Sequence, residues 1–117
     1  MTAKQPRPSN RCLAANGHEC YEIYAAEPSF VRQAIELLVQ HHKFKLVGEP
    51  AAGFDEIAAT VRRGDIQLSI GWDNWTGFGL LAVSDAGDSV VRELADFFDA
   101  IKVEPRFDRY FSANKVA

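Results

Sequence analysis

Ile66-Gln67-Leu68-Ser69-Ile70-Gly71-Trp72-Asp73 alternates apolar and polar residues without a break and then meets Asn74-Trp75-Thr76-Gly77. Only an extended backbone, whose successive side chains point to opposite faces, gathers such a set on one side. The segment therefore reads as a strand with one buried face, closed by a turn that carries a tryptophan. Both tryptophans of the chain lie here, so the turn is also where a binding surface is first to be sought.

The neighbouring segments follow from parity. Ile57-Ala58-Ala59-Thr60-Val61 alternates in the same way, and Gly64 marks a hairpin turn before Ile66. A two-residue loop sets Ile57, Ala59 and Val61 on the same side as Leu68, Ile70 and Trp72, whereas a one-residue slip buries the polar row. On the other flank, 78–83 is apolar on both faces and reads as a central or doubly covered strand. Keeping Leu68, Ile70 and Trp72 beside Phe78, Leu80 and Ala82 requires a loop of three or five residues. Gly71 then falls opposite Gly77 or Gly79, leaving an outer-face patch bare of side chains near Trp75.

Two helices complete the pattern. Phe30, Ala34, Leu37, Leu38 and His41 form one stripe over 30–42, with Arg32, Glu36, Gln40 and Lys43 opposite, and Pro28 or Ser29 opens it. Val90, Val91, Leu94, Phe97, Phe98 and Ile101 form a wider stripe over 88–102, with Asp85 as the expected N-cap and Pro105 as the stop. Short strands are expected at 21–25 and at Phe44-Lys45-Leu46-Val47. The fold class is α+β: an antiparallel sheet of four to five strands with two helices packed on one face, in the order β-α-β-β-β-β-α. Residues 1–18, with two prolines, an Asn-Gly pair and three uncompensated bases, read as a flexible basic arm. Residues 19–104 form the domain. The tail, 105–117, brings Phe107 and Phe111 to close the end of the core, although its arginine-aromatic mixture also suits an interface.

At 117 residues the chain has room for one core. No apolar run reaches the length of a membrane span, and Met1 to Asn16 lack a secretory apolar core, so no membrane association and a cytoplasmic location are expected. Residues 48–104 hold eleven acids against four bases, although the whole chain is only −3. Such a body repels phosphate backbones, which argues against nucleic acid and suits a basic protein partner or plain solubility. Cys12, His18 and Cys20 supply three potential zinc ligands in a spacing that matches no closed zinc motif, and free thiols are the expectation there. No nucleophile elbow, phosphate loop or zinc helix occurs, and neither cofactor nor catalytic residue is expected. The expected binding residues are Asp73, Asn74, Trp75, Gly71 and Gly79.

The order of elements, a helix, then Phe44-Lys45-Leu46-Val47-Gly48-Glu49-Pro50, then the 57–61 and 66–72 hairpin, a further strand and a helix, resembles small bacterial immunity-type proteins. The resemblance covers residues 30–102 and is one of pattern. It implies a protein that neutralises a toxin by docking an acidic surface on it, and no individual residue carries over. The charge split and the absence of catalytic motifs make the expected function a non-enzymatic protein-binding module, which an immunity-like role would fit. The alternative is a small-molecule-binding domain with a shallow pocket at the Trp75 turn.

Overall fold

The alternation at 66–73 does make a strand, paired on both sides. A computed structural model describes residues 8–111 of the chain. Strands β3 (Lys45–Ala52), β4 (Glu56–Arg63), β5 (Ile66–Asp73) and β6 (Gly77–Ala82) run as a meander. β4 and β5 join through Gly64 and Asp65, with Arg63 opposite Ile66, and Gly64 takes the left-handed φ of +62° that the tight turn demands. β5 and β6 join through the three residues Asn74 to Thr76, so that Trp72 faces Phe78, Ile70 faces Leu80 and Gly71 faces Gly79. Both registers are those that the buried-row parity requires.

The sheet has six strands rather than four or five. β1 (Ser9–Leu13) and β2 (Glu19–Ile23) extend it, giving the spatial order β1-β2-β6-β5-β4-β3, antiparallel throughout. The element order is therefore β-β-α-β-β-β-β-α. The added strand, Ser-Asn-Arg-Cys-Leu, shows no apolar alternation because its inward positions meet charge instead of core. Ser9 and Arg11 both reach Asp99, and Arg11 also reaches Asp96. At the opposite edge β3 is exposed along its whole length and breaks register between Val47 and Ala51. Gly48 at positive φ and Pro50 lie in that break, which spoils the edge as a template for further strands.

Helices α1 (Phe30–His41) and α2 (Asp85–Ile101) cover one face of the sheet, α2 over β2, β6 and β5 and α1 over β5 and β3. The buried rows Tyr21 and Ile23, Phe78 and Leu80, Leu68 and Ile70, and Val61 meet them. Phe30 lies at the centre of this core, with ring centroids 5.1 Å from Phe78 and 4.9 Å from Phe111. His41, placed on the buried stripe from its spacing, is exposed; Val31 and Ile35 complete that face. Ser84, not Asp85, caps α2, its hydroxyl accepting from the Gly87 N–H at 3.3 Å. Asp85 thereby becomes the first helical residue, where its charge suits the helix dipole. A 3₁₀ turn, Pro105–Tyr110, carries buried Phe107 and leads to buried Phe111, and the pair closes the end of the core. Trp72 continues the inner row and donates from its indole nitrogen to the Ala26 carbonyl at 3.0 Å. No helix among the described residues is long and apolar enough to cross a membrane.

Candidate functional site

The β5–β6 turn is built around the Asp73 carboxylate. One oxygen accepts the backbone N–H groups of Trp75 and Thr76 at 2.9 and 2.7 Å, and the other accepts the Thr76 hydroxyl at 2.7 Å. Partial burial pushes this carboxyl upward, but the hydrogen bonds from Thr76 and Trp75 outweigh it and hold it below its ordinary value. Asp73 is thus committed to shaping the loop. Gly77, at φ +77°, finishes the turn, and a Cβ there would lie 2.4 Å from the Ile23 carbonyl oxygen. The outcome is a rigid support that leaves the Trp75 side chain 82% exposed.

Because Glu56 pairs with Asp73, the β3–β4 turn lies beside this one. The Asn74 N–H donates to the Asp55 carbonyl at 3.1 Å, bracing the two tips against each other, and the Gly53 N–H donates to the Glu56 carbonyl at 2.7 Å, closing the β3–β4 turn itself. Phe54 sits at the neighbouring tip, fully exposed at 102%. Phe54, Asp55, Glu56, Asp73, Trp75 and Thr76 line an open depression of about 620 Å3 between the turns. Two solvated rings and carboxylates lining one depression can hold a cationic or planar group by stacking and charge together.

Of the five residues expected from sequence, Asp73, Asn74 and Trp75 come together in one turn. Gly71 and Gly79 face each other two rungs inward on the outer face of the sheet, outside the lining of the depression. The bare patch is real only at Gly79, where an added Cβ would meet nothing within 4 Å. Gly71 serves a different purpose: a Cβ there would stand 2.2 Å from the Ile57 carbonyl oxygen, so β4 and β5 approach each other only because it lacks one. Phe54 was missed by sequence reasoning. The available signal was the pairing of the two hairpins, which sets Gly53-Phe54-Asp55 beside Asn74-Trp75-Thr76.

The Cys12, His18 and Cys20 grouping divides in space. Cys12 lies opposite Cys20 on the β1–β2 ladder, whereas His18 turns to the start of α2. Its Nδ1 is 3.2 Å from Asp88 and 3.8 Å from Asp85. Asp88 also accepts the Glu19 N–H at 2.9 Å, which ties the hairpin to the helix and holds the carboxyl below its ordinary value. Among the described residues, the ligand atoms close enough to share an ion belong to His18, Asp85 and Asp88.

A second polar cluster joins β1 to α2. Asp99 accepts from Tyr21 at 2.6 Å, from Ser9 at 2.9 Å and from Arg11, and buried Lys102 places Nζ 2.8 Å from Ser9 and 3.2 Å from Asp99. A serine hydroxyl beside a lysine suggests a nucleophile and base. Lys102 donates to the Ser9 hydroxyl, however, and Ser9 in turn donates to Asp99, so the hydroxyl proton is aimed at the carboxylate and not at the lysine nitrogen. The cluster reads as a clamp between strand and helix. Finally, an apolar groove of about 760 Å3 runs between α1 and the outer strands, where Val31 and Ile35 face Leu46, Pro50, Ala52 and Ile57. The chain matches no protein-family model, and no similar curated protein or solved structure was found for it.

Proposed function

We propose that this chain is a non-enzymatic protein-binding module that holds a basic partner at the loop end carrying Phe54 and Trp75. The observation that supports this reading is the pair of exposed aromatic rings on braced neighbouring turns, with Asp55 and Glu56 lining the same depression. Large rings on a rigid turn bury much apolar area on contact and lose little conformational freedom. Adjacent carboxylates attract lysine and arginine, whose cations also stack on ring faces. The acidic excess of residues 48–104 would steer such a partner from a distance, more weakly as salt rises. An immunity-type role, which the element order suggests, would make the partner a toxin.

Affinity capture from the source cells tests this reading. Wild-type protein is expected to retain a partner whose affinity falls roughly 30-fold in Phe54→Ala and in Trp75→Ala, the scale of an aromatic interface anchor. Melting temperature should stay unchanged in both, since neither ring contributes to the core. Asp73→Ala is a poorer probe, because it dismantles the turn. Identical capture by wild type and both aromatic variants would remove the proposed surface. A saturable tryptophan-emission shift with a metabolite, lost in Trp75→Phe, would move the assignment to a small molecule in the same depression.

A further inference from the structure

Cys12 and Cys20 are free thiols on directly opposed residues of the edge hairpin. Their neighbours Arg11 and Tyr21 reach Asp99 of α2, so strand alternation turns both cysteines to the face away from the helices. Cys12 is exposed and Cys20 half-buried beside it. The bonds from the Ala14 N–H to the His18 carbonyl and from the Tyr24 N–H to the Pro8 carbonyl mark alternate rungs of this ladder as hydrogen-bonded pairs. Cys12–Cys20 falls on such a rung. Its Cα atoms are then about 5.5 Å apart, within the roughly 4.4–6.8 Å that a disulfide spans.

We infer that Cys12 and Cys20 are a redox-modified thiol pair that closes to an intramolecular disulfide on reaction with a small-molecule disulfide such as oxidised glutathione. The exposed Cys12 thiolate attacks one sulfur of the oxidant and expels the first thiol, leaving a mixed disulfide. Cys20 then gives up its proton and attacks the Cys12 sulfur, expelling the second thiol. The protein loses two electrons and two protons, and the oxidant gains both as two thiols. Burial, with Glu22 and Cys12 adding to it, pushes the Cys20 thiol up to about 12, so ring closure is the slower step and speeds up as pH rises. Opposed Cβ atoms on a hydrogen-bonded rung must draw together from about 5.5 Å toward about 3.8 Å to bond. A surface bond strained in this way is readily reduced again, which suits a switch better than a permanent staple.

The test uses the full chain equilibrated in mixtures of reduced and oxidised glutathione, quenched with acid, alkylated after denaturation and weighed intact. The expected product lacks two hydrogens, resists alkylation at both sulfurs and reverts with dithiothreitol. A single glutathione adduct at Cys12 should precede it. Cys20→Ser should stop at that adduct, and Cys12→Ser should react about tenfold more slowly or worse, because its remaining thiol is shielded. Circular dichroism of both variants confirms that the sheet is retained. Two alkylatable thiols under oxidising mixtures, a terminal adduct without closure, or a dimer linked between chains would each overturn the inference.

Discussion

Gly71→Ala is expected to lower stability by about 3 kcal/mol, the upper range for forcing an atom into a packed interior, whereas Gly79→Ala should leave it within about 0.5 kcal/mol. The two glycines face each other on adjacent strands, yet their surroundings differ in kind. A methyl at Gly71 would be driven to 2.2 Å from the Ile57 carbonyl oxygen, which is backbone and can yield only if β4 moves. That movement would disturb the Ile57–Trp72 and Ala59–Ile70 pairs on either side, and with them the inner row that meets the helices. At Gly79 the methyl would enter solvent, and the smaller freedom of alanine in the unfolded chain offsets any small loss. Thermal unfolding separates the cases: a fall of roughly 10–15 °C for Gly71→Ala against almost none for Gly79→Ala. Equal melting temperatures would show that β4 and β5 are not apposed as closely as described.

This contrast marks where the sequence was legible and where it was not. That Ile70 shares a face with Leu80, and Val61 with Leu68, followed from parity alone, because a one-residue slip would bury a polar row. Parity also set Gly71 against Gly77 or Gly79, of which the three-residue turn selects Gly79, but it counts side chains and does not measure the gap between backbones. The same blindness explains β1. Ser9 and Arg11 point inward like core residues, yet their partners Asp96 and Asp99 lie some ninety residues away on α2, and polar pairing leaves no periodic apolar trace. Phe54 was overlooked for a related reason. An aromatic in a loop has no period, and its meaning depends on which other loop stands beside it. Trp75 could be singled out because its strand was firmly in register and the indole fell out of phase with it.

Asp99→Ala is expected to cost about 3 kcal/mol, because it removes the shared acceptor of several part-buried donors, the charged Arg11 and Lys102 among them, rather than merely deleting one contact. Lys102 is only 6% exposed and has its Nζ 3.2 Å from Asp99, while Arg11, Ser9 and Tyr21 all donate to the same carboxylate. Removing the carboxylate deletes the hub through which Ser9, Arg11 and Tyr21 tie β1 and β2 to α2, so the edge hairpin should loosen before the rest of the sheet. Hydrogen exchange would then speed up first in residues 9–23. The pH dependence supplies a sharper test. Burial pushes the Asp99 carboxyl upward, but the hydrogen bonds from Tyr21, Arg11, Ser9 and Lys102 overcome it and bring it down to about 2. An unfolded aspartate titrates near 3.9, so the unfolded chain binds this proton first as pH falls. The stability contributed, about 2 kcal/mol, is therefore complete above the unfolded value and is lost as pH falls from about 4 through about 2. Asp99→Asn has no such titration, although its amide still accepts from Tyr21 and Ser9. Its stability should decline less steeply than that of the wild type across this window, the difference closing by about 2 kcal/mol between pH ~5 and pH ~2. Asp73 and Asp88 titrate in both proteins and cancel in the comparison. Parallel acid profiles for wild type and Asp99→Asn would mean that the carboxylate does not hold β1 to α2.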